Sequence, residues 1–251
     1  MKEQLQKDFE NIAKNLSLSQ KDIEIKKFSL DSFITKGFPN RKEEDWKFSD
    51  LNQIIKKNIG ELSFYSDYTS TNKVDTSVFV DGLEHNKIVF INGRIEKIDF
   101  DYEEKNQIEI IDQSETTNRF NNNNSLLDLN TAFTNKSFKI LVKQGYQLKK
   151  PLIIYHTTNS NIWSKNINLR LDFEIEKNSS LRLIDLFNDT SEKNFLNIFY
   201  NFNLKGGYSS AIVNGIFSIN NDKHHEIRSI INHLTENTKS YQLIKSVLED
   251  G

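Results

Sequence analysis

The stretch that decides the fold is residues 166–180, which read NINLRLDFEIEKNSS. From Ile167 to Ile175, apolar side chains alternate with polar or charged ones without a break. A period of two is that of a β-strand, and it predicts one face in a core and the other face in solvent. Residues 177–179, KNS, then predict a short polar turn.

Five further segments continue the strand pattern toward the C-terminus. They are 181–187 (LRLIDLF), 197–204 (NIFYNFNL), 211–219 (AIVNGIFSI), 226–231 (EIRSII) and 240–248 (SYQLIKSVL). Short polar turns such as Gly206-Gly207 separate them, and no helical pattern intervenes. Such an array predicts a sandwich, a barrel or a solenoid, and periodicity by itself does not choose among the three.

The first part of the chain has helical periodicity instead. Apolar residues of segment 5–16 fall on one stripe of an otherwise charged sequence, which predicts an amphipathic helix. Shorter helices are predicted over 30–35 and near 51–55. Residues 87–95, KIVFINGRI, predict a hairpin with an Asn-Gly turn.

A Ser/Thr/Asn-rich stretch at 115–125 separates the two patterns. We therefore predict a mostly helical, mixed α+β N-terminal region over 1–120 and a β-rich region over 121–251. The length of 251 residues is enough for one large or two small domains with a real core.

Composition excludes several classes of protein. The chain has 33 Lys and Arg against 35 Asp and Glu, a formal charge of −2, so no strongly basic face for nucleic acid is expected. Without cysteine it has no thiol nucleophile, disulfide or thiolate ligand. The polar N-terminus has no signal-peptide core, and no stretch approaches about 20 consecutive apolar residues. We expect a soluble, cytoplasmic protein that binds neither membranes nor nucleic acid.

Three of the five histidines lie close together, in DKHHEIRSIINH. His224 and His225 point to opposite faces of a predicted strand, so only His225 shares a face with His233. Two histidines without a thiolate make a poor metal site, and we predict none. Ser229, His233 and Asp222 could be arranged as a hydrolase triad, but no oxyanion-hole motif accompanies them, and we predict no catalytic residue.

In the segment 37–51, GFPNRKEEDWKFSDL, charged residues flank a single tryptophan. Its residue types predict the start of a helix that Trp46 and Phe48 pin to a core.

The same segment resembles the N-terminal signature of the SufD family, G-L-P-x-R-x-x-E-x-W-K-Y-T-x-L. That family supplies a scaffold subunit of the SUF system, which assembles iron–sulfur clusters. Residues 89–93 and 126–158 also resemble family stretches, in the right order. The C-terminal stretch 224–245 resembles H-V-D-x-x-T-x-I-D-H followed by C-x-S-x-Q-x-Y-K. The matched signature residues, to which a structural or interaction role is carried over, are Arg41, Glu44, Trp46, Lys47, His224, His233, Ser240 and Lys245.

The resemblance implies a right-handed parallel β-helix that pairs with the SufB and SufC proteins. It also implies a non-catalytic subunit that binds no cofactor of its own. The iron–sulfur cluster, ATP on SufC and reduced flavin would then belong to the complex.

This chain departs from the family pattern in two ways. Thr238 stands where the family often has cysteine, so a thiol role is absent there. The sequence also stops where family members continue with further coils, so we expect an incomplete β-helix, an N-terminal fragment lacking the C-terminal part. Two alternatives stay open: a β-helix enzyme acting on polysaccharide, and the paralogous SufB subunit. Such an enzyme needs clustered carboxylates, whereas the outward Asp172 and Glu174 alternate with Asn168 and Arg170 and indicate an ordinary solvated face.

Overall fold

In the computed structural model, the described part of the chain forms a β-solenoid with helices packed on it. The described residues are 2–15, 18–60, 62–64, 73–113, 124–135, 137–159, 162–189, 193–219 and 222–248. Within them, two β-sheets wind into a parallel β-solenoid of about four turns, and helices cover one of the sheets. The prediction of a mainly β, β-helical fold with a helical N-terminal region is confirmed.

The helices of the described ranges lie outside the solenoid coils. They are α1 (Lys2–Asn15), α2 (Gln20–Lys36), α3 (Leu51–Ile54) and α4 (Ser125–Phe133). A π-helical turn at Ile55–Ile59 extends α3, and 3₁₀ turns occupy Glu44–Trp46 and Thr76–Val78. Side chains of Ser19, Asp50 and Asn124 accept backbone N–H groups and so cap α2, α3 and α4.

From β5 onward, the strands alternate between the two sheets along the chain. They are β1 (Ser63–Phe64), β2 (Asn86–Ile91), β3 (Arg94–Asp99), β4 (Ile108–Gln113), β5 (Ser137–Val142), β6 (Leu152–Thr158), β7 (Lys165–Ile175), β8 (Ser180–Asp189), β9 (Asn194–Leu204), β10 (Ser210–Ile219), β11 (Lys223–His233) and β12 (Lys239–Leu248). Sheet A has the order β11-β9-β7-β5-β4, with β1 beside β7, and sheet B has the order β12-β10-β8-β6-β2-β3. The pairs β2–β3 and β4–β5 are antiparallel, and the others are parallel.

The three predicted helices and the hairpin are present, but α2 begins at Gln20 and is much longer than the predicted helix 30–35. The three helices correspond to α1, the end of α2, and α3 with its π turn, although position 16 lies outside the described residues. The hairpin is β2–β3, and both turn residues, Asn92 and Gly93, have positive φ (51° and 79°). A Cβ added at Gly93 would lie 2.7 Å from Ile167 Cγ2, so this turn requires glycine.

The proposed boundary near residue 120 falls in 114–123, outside the described residues. Strands β2, β3 and β4 precede that stretch, yet β2 pairs with β6 and β4 pairs with β5, so the solenoid sheets include strands from both sides of it. The division into 1–120 and 121–251 stays a prediction.

The solenoid core forms because strands of successive coils pair in the same register, so that equivalent side chains stack in rows. Phe173 of β7 is paired with Phe202 of β9, and their rings stack with centroids 4.5 Å apart. The inward side chains of β7 are all buried, and those of β9 are stacked on them: Ile167, Leu169, Leu171, Phe173, Ile175, Leu196, Ile198, Tyr200, Phe202 and Leu204. Burial of these ladders is the main source of stability, as in other repeat folds.

The outer face of sheet A differs from the sequence-based prediction. The alternating residues of β7 were expected in solvent, yet Asn168, Arg170 and Asp172 are only 6%, 4% and 7% exposed. Helix α4 packs on β7 and β9, and α2 packs on α4, so this polar face is an internal interface. The solvated-face prediction was therefore wrong, because strand periodicity does not reveal what a distant helix covers.

Side-chain amides form hydrogen bonds with backbone carbonyl groups that are buried at this interface. Asn130 Nδ2 donates to the carbonyl oxygens of Leu169 (3.1 Å) and Asn197 (2.8 Å). Asn197 Nδ2 donates in return to the Leu126 carbonyl at 3.0 Å. Buried polar groups need such partners, and here each amide joins α4 to the sheet.

Substituting alanine for Phe202 should lower the free energy of unfolding by about 3–5 kcal/mol, because the cavity left in the stacked core cannot close fully. Urea denaturation followed by circular dichroism measures the loss. The matched control is Phe48→Ala, whose ring is 85% exposed, and a change below about 0.5 kcal/mol is expected there. Equal losses for the two variants would contradict the stacked core.

Glu103 joins the loop after β3 to the segment before β6. Its carboxylate accepts hydrogen bonds from the Tyr146 hydroxyl (2.6 Å), the Asn86 amide (2.7 Å) and the backbone N–H groups of Lys149 and Lys150 (3.1 Å each). Burial acts to raise the pKa of Glu103, but these four donors outweigh it and hold the pKa below the ordinary 4.5.

A depressed carboxyl pKa stabilises the folded state above the unfolded-state pKa, and this stability is lost as the pH falls through the folded-state pKa. Glu103→Gln should therefore be less stable than the wild type near neutral pH, and the difference should shrink below about pH 4.5. Thermal melting across this pH range checks it. A difference that does not vary with pH would show that the charge of Glu103 has no part in holding the loop.

Candidate functional site

The two family-signature segments meet in space, although they lie far apart in sequence. Trp46 is buried in the core beneath the helices, on the 3₁₀ turn Glu44–Trp46. Phe38, from the same segment, packs edge-to-face on Phe195 with centroids 6.2 Å apart. Phe195 in turn lies 5.5 Å from the ring of His224, the first residue of the C-terminal signature. One row of aromatic rings therefore connects the two signatures.

A groove of about 600 Å³ lies between the 3₁₀ turn and β11. Its lining residues are Glu43, Glu44, Asp45, Trp46, Asn124, Leu127, Arg228, Ser229 and Ile230. Arg228 lies 3.1 Å from Glu226 and 3.9 Å from Asp45, so it spans from the strand to the signature segment. The groove is thus acidic on one wall, with one arginine on the other.

Burial shifts the pKa of two β11 residues. His224 has a pKa lowered to about 4, mainly by desolvation and also by the neighbouring His225, so its ring is neutral at neutral pH. Burial raises the pKa of Glu226, and Arg228 partly opposes this effect. Both residues belong to the outer face of sheet A beside the groove.

The charged members of the first signature lie at the surface. Arg41, Glu44 and Lys47 are exposed, and the Lys47 ammonium lies 5.1 Å from the centroid of the Phe48 ring. The prediction that Phe48 helps to pin this segment to the core was wrong, since its ring points to solvent. Of these two aromatic side chains, Trp46 is the one that is buried.

His233 and Ser240 meet at the turn between β11 and β12. His233 Nε2 lies 3.0 Å from Ser240 Oγ, and Nδ1 lies 2.6 Å from Thr238 Oγ1. Thr238 donates its proton to the Thr235 carbonyl, so it accepts from His233 Nδ1–H. Three side chains of the C-terminal signature region thus hold one turn. Lys245 lies elsewhere, exposed on β12.

The hypothetical Ser229–His233–Asp222 triad does not form. Ser229 Oγ accepts from the Gln242 amide at 2.7 Å, and Asp222 pairs with Lys193 at 3.2 Å. The prediction that His224 and His225 face opposite ways is confirmed, because His225 lines the solenoid interior. In the part of the chain that the structure describes, no three His, Asp or Glu side chains cluster as metal ligands.

Residues 94–251, more than half of the chain, match the family model described as SUF system FeS cluster assembly, SufBD core domain. The chain belongs to the SufB/SufD family. The matched range runs from β3 through β12, so it covers most of the SufBD solenoid but not the signature around Trp46. No curated protein shows significant similarity. None of the helices in the described ranges is long and apolar enough to cross a bilayer.

Sequence reasoning missed two parts of this arrangement. Arg228 was not singled out, because a lone arginine in a strand carries no motif. Asp185 and Tyr200 were likewise treated as ordinary strand residues, yet they lie together inside the solenoid with His156. Their contact depends on the coil-to-coil register, which only the fold supplies.

Protonation of His224 should destabilise this SufBD solenoid. Its folded-state pKa of about 4 lies below the ordinary 6.5, so stability is present above pH 6.5 and lost as the pH falls toward 4. The free energy of unfolding of the wild type should therefore fall by as much as about 3 kcal/mol on acidification, and His224→Gln should abolish this fall. Urea denaturation at a series of pH values measures it, with His233→Gln, at an exposed histidine, as the matched control. An unchanged pH slope in His224→Gln would contradict the burial of this ring.

Proposed function

We propose that the protein is a scaffold subunit of a SUF complex and that it is of the SufD kind, pairing with SufB and SufC. The observation that carries the proposal is the coincidence of the SufBD core match with an observed parallel β-solenoid. Membership in this family ties the chain to iron–sulfur cluster assembly. The partners, and the cytoplasm as the site of action, are inferred from the SUF system.

The subunit acts in this proposal by shape rather than by chemistry of its own. The histidines and serines of the C-terminal signature hold a turn, and Trp46 anchors a segment, so these residues position surfaces for partners. ATP hydrolysis belongs to SufC, and the iron–sulfur cluster and reduced flavin belong to the complex.

The assignment to SufD rather than SufB rests on the signature at 37–51. Its Gly-x-Pro start and its Arg-x-x-Glu-x-Trp-Lys pattern are those of SufD, and the structure gives this segment a defined place against β9 and β11. The polysaccharide-enzyme alternative gains no support, because Asp172 is buried under the helices and Glu174 is within 3.5 Å of Lys139 and 2.8 Å of Lys205.

Copurification tests the proposal and separates the two subunits. The full chain, carrying an affinity tag, is coexpressed with SufC and either SufB or SufD of one SUF system. We expect capture of SufB with SufC, at levels that Phe48→Ala leaves unchanged and Phe202→Ala reduces through loss of the fold. Capture of SufD in place of SufB would reverse the assignment. Capture of neither subunit would remove the proposal.

A further inference from the structure

Three polar side chains from three strands converge inside the solenoid. His156 of β6, Asp185 of β8 and Tyr200 of β9 are 5%, 2% and 2% exposed. His156 Nε2 lies 2.8 Å from Tyr200 Oη and 3.0 Å from Asp185 Oδ1, and Tyr200 donates to Asp185 Oδ2 at 2.7 Å. The side chains packed around this cluster are mainly apolar, so such a cluster costs free energy unless its charges are compensated.

The distances match those between ligands of one metal ion. Nitrogen and oxygen donors bind first-row divalent ions at about 2.0–2.2 Å, so two donors in cis positions lie about 3 Å apart. The three separations here are 2.7–3.0 Å. The carboxylate takes part through both oxygens, Oδ1 toward His156 and Oδ2 toward Tyr200, so the three side chains are close enough together to bind one ion.

The ring of His156 is held in place for this role. It stacks between Phe90 and Phe187, with centroid distances of 5.3 and 4.4 Å and interplanar angles of 9° and 15°. The two aromatic rings fix the direction of Nε2 without offering it a hydrogen bond. A preorganised donor of this kind lowers the entropic cost of binding an ion.

A cavity reaches this cluster from the side of the last described coil. It has a volume of about 450 Å³, and Asp185 and Tyr200 line it together with His225. Ser229, Gln242 and Ser246 add polar groups along the same wall. The cavity provides room for further ligands or water beside Asp185 and Tyr200.

We propose that His156, Asp185 and Tyr200 form a binding site for a first-row divalent metal ion such as Fe²⁺, Co²⁺ or Zn²⁺. The ion takes the place of the Tyr200 hydroxyl proton: the O–H bond breaks, the proton leaves to solvent, and the phenolate oxygen binds the ion. With neutral imidazole, the charges of carboxylate, phenolate and ion then sum to zero.

A neutral assembly suits a buried site, since an uncompensated charge there is expensive. Before the ion binds, Tyr200 donates its hydroxyl proton to Asp185 Oδ2 at 2.7 Å, so that proton has to leave when the oxygen becomes a ligand. Ion binding should therefore release about one proton per chain, as expected when a protonated ligand is metallated. The proposal does not depend on which SUF subunit the chain represents.

Cobalt titration of the full, untagged chain tests the proposal. After removal of metal with a chelator, Co²⁺ is added while visible absorption, calorimetry and a pH indicator are recorded. We expect one tight equivalent, about one released proton, and displacement by Zn²⁺. His156→Gln and Asp185→Asn should each weaken binding at least about 100-fold. Tyr200→Phe should abolish the proton release.

The matched control is Tyr155→Phe. Tyr155 also pairs with a histidine, His85, at 2.7 Å, but it lies in a different cluster without a carboxylate, so its substitution should leave Co²⁺ binding unchanged. Failure of the wild-type chain to bind one equivalent would overturn the proposal, whether or not the variants fold. Equal affinity in folded His156→Gln and the wild type would also overturn it.

Discussion

The reciprocal amide bonds of Asn130 and Asn197 join the helices to the solenoid, and most of the structure depends on that contact. Without the helices, the row of polar side chains on the outer face of sheet A would be exposed to water. The opposite face of the same sheet packs in the solenoid core. With α4 in place, the amides satisfy carbonyls of both partners, and Lys26 donates to the carbonyls of Thr131 and Thr134 at the end of α4. Burial lowers the pKa of Lys26 to about 8, which shows how dry this interface is.

The same contact determines where the signature segments lie. Because the helical layer is fixed on sheet A, the segment around Trp46 lies against Phe195 of β9 and forms the groove with Arg228 of β11. In the solenoid interior, by contrast, the positions of the side chains are set by the stacking of strands from coil to coil. The paired strands of the solenoid thus position both an outer groove and an inner polar cluster.

Much of this fold could be predicted from the sequence, because the patterns that indicate it each lie within a single helix, strand or turn. The alternation in β7, the stripe in α1 and the Asn92-Gly93 turn each record a local constraint, and the family resemblance turned an ambiguous strand array into a solenoid. Burial of Asn168 and Arg170 could not be predicted, because helices far away in sequence cover them. The His156–Asp185–Tyr200 cluster was missed for a similar reason: its members are 29 and 15 residues apart, and only register brings them together. Phe48 was misassigned because hydrophobicity does not encode the direction of a side chain in a tight turn.

Thiol accessibility tests the covered outer face most directly, since the natural chain contains no cysteine. Single cysteines are introduced at Asn168, on the covered face of sheet A, and at Asn188, an exposed position of β8 in sheet B. Maleimide labelling of the native protein should be at least about 100-fold slower for Asn168→Cys than for Asn188→Cys, because reaction needs local opening of the helical layer. The two rates should converge in urea. Equal rates in the native state would contradict the account of a solenoid whose polar face is sealed by helices.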